Sequence, residues 1–390
     1  MPAIDASLFS LAPVLPALHS GFEERLNRRF QGIPSVACLP SGRLFVVFYA
    51  CREPWEGPGN YVVLCTSTDC GLSWKEVQVV SPGEARAQER CFDSELWLAP
   101  DGALWWFWTQ CHSVKEYDTF DGRGGVWAAR CAEPDCDCPR WEAPRRLGEG
   151  IMMNKPTLLA DGSWVLCASL WGWAGAMNKT PAGLGICNRP NLLVSHDNGG
   201  SFEWHPGPEL PMPWRNCDEH MAVERRDGAL WMLIRTNYGI AESTSADKGA
   251  TWSAPSLLPF GGLATRFSIS RLRSGKLLLV YHRCLPLLPG EKCSVLNGSD
   301  ERRDRLCAWY SEDDGATWKG GLMLDERSSV SYPSVCEGPD GFIYVTYDRE
   351  RTSVGQILLS RFTEADLLRG EFVTPGSYRS VIVSALPAHP

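Results

Sequence analysis

Glu219, Arg235, Arg266, Tyr332 and Asp348 carry a carboxyl, two guanidinium groups, a phenol and a second carboxyl, and they obey one spacing rule. Nine residues before a short Gly-ending turn stand Ile33, Asp93, Met153, Glu219, Arg266 and Tyr332. Seven residues after the same turns stand Tyr49, Thr109, Ser169, Arg235, His282 and Asp348. Within one hairpin these two positions are near-neighbours across the strands, at the open end. If the hairpins are arranged radially, all twelve crowd one mouth of an axial channel. Strand ends that are simply polar are the ordinary alternative. Convergence of so many ionisable groups is nevertheless costly unless they serve a purpose, which marks the mouth as a candidate site.

The turns themselves define the elements. They read P-S-G at Pro40–Gly42, P-D-G at Pro100–Gly102, A-D-G at Ala160–Gly162, R-D-G at Arg226–Gly228, R-S-G at Arg273–Gly275 and P-D-G at Pro339–Gly341. Each stands between an extended segment and an apolar run such as Leu104–Trp108 or Leu277–Tyr281. Asp-Gly and Ser-Gly between such runs signal hairpins, because Gly supplies the positive φ of a tight turn. The turn glycines recur every 47 to 66 residues or so, the range of one propeller blade. Six copies predict an all-β, six-bladed propeller of four-stranded antiparallel blades.

Composition agrees with one large domain spanning 1–390, with its core at about 30–370. The chain has 390 residues, 44% hydrophobic and 22% charged, and closed β architectures reach this length as single domains. No window approaches the roughly 18 apolar residues of a membrane span. A net charge of −8 argues against a nucleic-acid partner, which wants a basic face. Met1 to Ser20 has three prolines and no leading Lys or Arg, so it does not read as a secretory signal and a cytoplasmic location is expected. The 16 cysteines are then expected to be reduced and mostly buried. Cys131, Cys136 and Cys138 are spaced C-x4-C-x-C, which does not match paired zinc knuckles, and no metal or other cofactor is expected.

A second motif falls between the turns. It reads S-T-D-C-G-L-S-W at Ser67–Trp74, S-H-D-N-G-G-S-F at Ser195–Phe202, S-A-D-K-G-A-T-W at Ser245–Trp252 and S-E-D-D-G-A-T-W at Ser311–Trp318. The Asp caps backbone N–H groups, the Gly takes positive φ and the aromatic folds back onto the blade. Asp69, Asp197, Asp247 and Asp313 are therefore structural. This repeat resembles the Asp box of the sialidase superfamily, whose fold is a six-bladed propeller. The resemblance covers roughly Phe30 to Arg369. Asp boxes also occur in proteins that are not sialidases, so activity has to come from site residues.

The resemblance implies a Tyr nucleophile activated by a Glu, three Arg on the substrate carboxylate and an Asp as acid/base. E-H-M-A-V-E-R-R-D-G-A-L-W-M-L-I-R matches the family's Glu segment and implies Glu219 and Arg235. S-Y-P-S-V, P-D-G and Y-D place Tyr332 on the nucleophile and Asp348 where a Glu is usual. R-D-R-L-C-A-W-Y-S-E-D makes Arg303 the match for a further Arg, with Arg302 and Arg305 as close competitors. Two features depart from the pattern. Gly32-Ile33-Pro34 stands where the family has R-I-P, so that Arg is missing, and Arg266 is a candidate replacement. After Cys51-Arg52 no Asp precedes the first Asp box, leaving Glu56 nearest the acid/base position and Asp93 as its competitor. Arg52, His220 and Lys155 complete the candidate substrate-binding set.

The chemistry is coherent. Guanidinium forks hold a carboxylate bidentately. A carboxylate on the anomeric carbon repels an anionic nucleophile, whereas a phenol is neutral and can lose its proton to Glu219 as it attacks. Glu56 or Asp93 would protonate the leaving oxygen. The expected function is an exo-acting, retaining, sialidase-like glycoside hydrolase acting on a glycan. Competing readings are a hydrolase for another ulosonic or uronic acid, a polysaccharide lyase and a noncatalytic glycan-binding propeller.

Overall fold

The six Gly turns form as tight hairpin turns. Gly42, Gly102, Gly162, Gly228, Gly275 and Gly341 have φ of 87, 83, 88, 83, 85 and 78°, a region that other residues enter only under strain. In the first, Gly42 N–H donates to the Leu39 carbonyl at 2.9 Å and Leu39 N–H to the Arg43 carbonyl at 2.8 Å. The computed structural model describes residues 27–81, 89–114, 117–119, 125–170, 189–259, 263–282 and 303–387.

Each turn joins the two inner strands of one antiparallel sheet. The inner hairpins are Phe30–Cys38 with Leu44–Cys51, Glu89–Leu98 with Leu104–Val114, and Arg215–Glu224 with Leu230–Thr236. Blades five and six use Ser268–Arg271 with Leu277–His282 and Val330–Glu337 with Phe342–Arg349. In blade three the innermost strand is split into Ile151–Met152 and Thr157–Leu158, both paired with Trp164–Ser169. Two further strands complete each sheet in chain order, blade two carrying an additional short strand at Tyr117–Thr119, giving six blades. The expected six-bladed propeller is therefore observed, and every blade is built from consecutive strands.

Packing follows from the sandwiching of each blade between two others. Inner strands such as Leu44–Cys51 are buried at every position, as strands covered on both faces must be. Six apolar clusters fill the six gaps between neighbouring blades. One of them closes the ring, packing Val36, Val46 and Phe48 of blade one against Tyr344 and Leu359 of blade six. The Gln31 amide adds a bond to the Gly355 carbonyl at 2.6 Å across the same seam. Trp106, Trp108, Trp164 and Trp231 are fully buried in these gaps, and truncating one to Ala costs about 3–5 kcal/mol.

The Asp boxes lie at the turn end. In the first, Asp69 Oδ1 accepts from Ser67 Oγ at 2.8 Å and from Ser73 N at 3.0 Å, and Oδ2 accepts from Ser73 Oγ at 2.6 Å. Trp74, Phe202, Trp252 and Trp318 each pack against one of the inter-blade clusters. The boxes are structural, as their sequence implied.

Candidate active site

Where the inner strands begin, the backbone leaves regular geometry. Ile33, Asp93, Glu219 and Tyr332 occupy left-handed φ of 54, 45, 40 and 56°. Each lies in a register break, between Gly32 and Ser35, Phe92 and Glu95, Asp218 and Met221, and Ser331 and Ser334. These are β-bulges, which re-aim a side chain. Left-handed φ costs about 1–2 kcal/mol for a non-Gly residue and is held only where surrounding structure enforces it. The bulges shift the pairing by one residue while keeping the expected positions near-neighbours. The residues directly opposite Arg235 and Asp348 are Asp218 and Ser331 rather than Glu219 and Tyr332, which the bulge frees from the ladder.

Tyr332 stands at the centre of a charge cluster. Its hydroxyl donates to Glu219 Oε1 at 3.2 Å and accepts from Arg235 Nη1 at 3.3 Å, while Arg235 Nη1 lies 2.6 Å from the same Glu219 oxygen. The guanidinium carbons of Arg351, Arg303 and Arg266 lie 4.6, 5.4 and 5.9 Å from the Tyr332 ring centre. Burial raises the Tyr332 pKa and Glu219 adds to the shift, against the pull of Arg235, Arg303 and Arg351. The phenol therefore stays neutral near pH 7 and needs a base to ionise. Burial works against the charge of Arg235, but Glu219 and Tyr332 outweigh it and keep the guanidinium protonated.

Asp93 and Glu56 have opposite environments. Asp93 is fully buried and neither carboxyl oxygen has a protein hydrogen-bond partner. Burial drives its pKa well above the usual carboxylate range; Arg90 opposes this and Glu56 and Glu219 reinforce it. Burial therefore favours its neutral, proton-holding form. Glu56 has 35% of its side chain exposed and bonds Arg351 Nη1 at 2.7 Å. Partial desolvation pushes its pKa up, but Arg351 and Arg90 outweigh this and hold it below the usual value.

The remaining candidates divide. Arg266 faces Tyr332 but is committed, with Nη2 2.8 Å from Glu95 Oε1 and Nε 2.9 Å from Asn154 Oδ1. Asp348 is wholly buried, accepts from Ile33 N at 2.8 Å and Ser331 Oγ at 2.7 Å, and forms an ion pair with Arg351 Nε at 3.2 Å. It positions Arg351 and leaves no open face to substrate. His220 follows Glu219 along the strand and points the other way, as alternate strand residues do. Its Nε2 donates to the Asn191 carbonyl at 2.6 Å, and burial lowers its pKa to about 4. Lys155 points down the channel, donates to the Val36 carbonyl and lines a cavity of roughly 680 Å³ with Cys38, Met221, Ile269 and Cys336. His220 and Lys155 are thus corrected: neither is placed with Tyr332. Arg52 is exposed on the segment after Cys51.

Sequence reasoning missed Arg351, which comes from the irregular segment after Arg349. It also missed Glu95, the carboxylate partner of Arg266. Several buried polar atoms at this end have no protein partner: Tyr49 Oη, both Asp93 oxygens, Glu95 Oε2, Glu219 Oε2, Arg235 Nε, Arg266 Nη1 and His282 Nε2. Buried polar groups are normally satisfied, so such a cluster marks a place built for a polar ligand. Among the described residues no group of three His, Cys, Asp or Glu side chains is placed to hold a metal ion, and no helix is long and apolar enough to cross a membrane.

Residues 42–345 match the family model described as the BNR repeat-like domain. The chain belongs to that family. Its six-bladed fold is similar to that of solved sialidase structures. A sialidase from Streptococcus pneumoniae, NanB, is similar with a TM-score of 0.61 at 14% identity, covering 91% of this chain and 71% of that one. An intramolecular trans-sialidase from Ruminococcus gnavus, bound to oseltamivir carboxylate, is similar with a TM-score of 0.61 at 14% identity, covering 93% and 99%. A protein of unknown function from Dyadobacter fermentans has a TM-score of 0.58 at 16% identity, covering 87% and 94%. At these identities the likeness is one of fold. A search of curated proteins finds no match.

Proposed function

We propose that this BNR-family propeller is a retaining glycoside hydrolase that removes a terminal acidic sugar, of the sialic acid type, from a glycan. The observation that carries the reading is the bonded trio of Tyr332, Glu219 and Arg235. Glu219 accepts the phenolic proton as the Tyr332 oxygen attacks the anomeric carbon. The bond to the leaving oxygen breaks as Asp93 donates its proton, giving a glycosyl-tyrosine and a free alcohol. Asp93, now a carboxylate, takes a proton from water, which attacks the same carbon. Tyr332 leaves and regains its proton from Glu219. Retention follows from the two displacements.

The choice of Asp93 over Glu56 as proton donor rests on protonation. A general acid must hold its proton until the leaving group needs it. Buried Asp93 is held neutral, whereas Glu56 is held ionised by Arg351. Asp93→Asn is therefore expected to abolish turnover of alkyl glycosides while sparing activated aryl glycosides, whose leaving groups need little protonation. Glu56→Gln should show no such split.

The deciding experiment is a screen against aryl glycosides of sialic, other ulosonic and uronic acids, with product analysis. The reading predicts a reducing acidic sugar, formed by wild type and lost in Tyr332→Phe. An unsaturated, ultraviolet-absorbing product would identify a lyase instead, and no product with any acid would leave a binding propeller.

A further inference from the structure

Four guanidinium groups surround Tyr332, and their partners separate them by availability. Arg266 is 1% exposed and held by an equally buried Glu95. Arg235 is 8% exposed and held by Glu219. Among the described residues no carboxylate pairs with Arg303. Arg351 is 19% exposed and shares itself between two carboxylates of different character. Its Nε meets the wholly buried Asp348 at 3.2 Å, a fixed anchor. Its Nη1 meets Glu56 at 2.7 Å, on an exposed segment that water reaches.

Gly32 makes room for this arrangement. A Cβ added at Gly32 would lie 2.4 Å from Arg351 Cδ, 2.8 Å from Cγ and 3.0 Å from Asp348 Oδ2. Any larger side chain there displaces the Arg351 stem. The residue before Ile33-Pro34 and Arg351 therefore compete for one volume. Arg351 crosses it from blade six and delivers a guanidinium 4.6 Å from the Tyr332 ring centre.

We infer that Arg351, entering over Gly32, is a substrate-carboxylate receptor of this site, and that Glu56 is a resident carboxylate which the substrate displaces. The inference deepens the proposed function and rests on it. The exchange is electrostatically even, because one carboxylate replaces another on Nη1 while Asp348 holds Nε. Arg303 then supplies the second, uncommitted fork. Arg266, proposed from sequence as the replacement for the missing Arg, has Nη2 and Nε committed to Glu95 and Asn154, which leaves Nη1 alone without a protein partner.

The test is a positional swap read by calorimetric binding of N-acetylneuraminic acid, D-glucuronic acid and their methyl esters. Wild type is expected to bind one acid over its ester. Arg351→Gly should weaken that acid by about tenfold to a hundredfold, the value of one charged hydrogen-bonding partner, and leave the ester unchanged. Gly32→Arg combined with Arg351→Gly should recover most of the loss, since either residue fills the same volume. Glu56→Gln should tighten the acid severalfold by removing its competitor. Arg351→Lys, with thermal unfolding recorded for each protein, guards against a folding defect and should lose acid selectivity at unchanged stability. Equal loss of acid and ester in the Arg351 variants, or a folded swap with no recovery, overturns the role of Arg351 alone. Failure of wild type to prefer either acid overturns it together with the proposed function.

Discussion

The two ends of this propeller are built from the same strands but to different rules. At the turn end, all six hairpins close on a left-handed Gly, and in the four Asp boxes the Asp oxygens are filled by neighbouring hydroxyl and N–H groups. At the strand-start end, Ile33, Asp93, Asp218, Glu219 and Tyr332 take left-handed φ at bulges, and buried atoms of Asp93, Glu219, Arg235 and Arg266 lack protein partners. Both ends hold left-handed non-Gly residues, Cys70, Asn198, Lys248 and Asp314 in the Asp boxes as well as those in the bulges, so what sets the strand-start end apart is the convergence of buried charged groups with unsatisfied atoms. The difference teaches where each kind of mutation should act.

The sharpest way to break the comparison is to remove one atom at the strand-start end. Tyr332→Phe deletes the nucleophilic oxygen and should lower kcat by at least about 10³-fold, with little change in the thermal midpoint. Steady-state kinetics with unfolding curves on the same preparation decide it. Glu219→Gln should follow with a loss of about 10²–10⁴-fold, the usual worth of a general base.

At the turn end the expected pattern reverses. Gly315 has φ of 92° and an added Cβ would fall 2.5 Å from the Trp231 ring. Gly315→Ala combines a left-handed penalty with overpacking and should cost about 2–5 kcal/mol in denaturant unfolding. Activity per folded molecule should be unchanged. A large fall in kcat with intact stability would erase the division between the two ends.

The smallest effect is a pH dependence. Hydrogen bonds from Ser73, Ser201, Thr251 and Thr317 hold Asp69, Asp197, Asp247 and Asp313 at a pKa of about 2, below the ordinary 3.8. A depressed folded-state pKa stabilises above the unfolded value and loses that contribution as pH falls through the folded one. Stability should therefore decline between pH about 4 and about 2. Asp247→Asn should shallow that decline slightly, because the box is exposed, and urea melts across this range would measure it.

The same contrast explains what could be read from the chain. Turn glycines and Asp boxes are local, so their residues announce six blades without any tertiary information. Counting from those turns also found Asp93, Glu219, Arg266, Tyr332 and Asp348 at one end, because a hairpin keeps its register. It failed where register stops being informative. Blade three splits its inner strand, so Lys155 slides down the channel rather than joining the mouth. His220 follows Glu219 and alternation turns it away. Arg351 lies in an irregular segment with no periodicity to place it, and only the bare Gly32 hinted that another side chain fills the space.

The central claim is that Tyr332 forms a covalent glycosyl intermediate under Glu219. It is tested most directly by peptide mass spectrometry after reaction with a fluorinated, slowly turned-over glycosyl fluoride of the acidic sugar that the screen identifies. The predicted result is one adduct per chain, on the peptide carrying Tyr332 and absent from Tyr332→Phe. An adduct on another residue, or turnover with inversion at the anomeric carbon and no adduct, would contradict it.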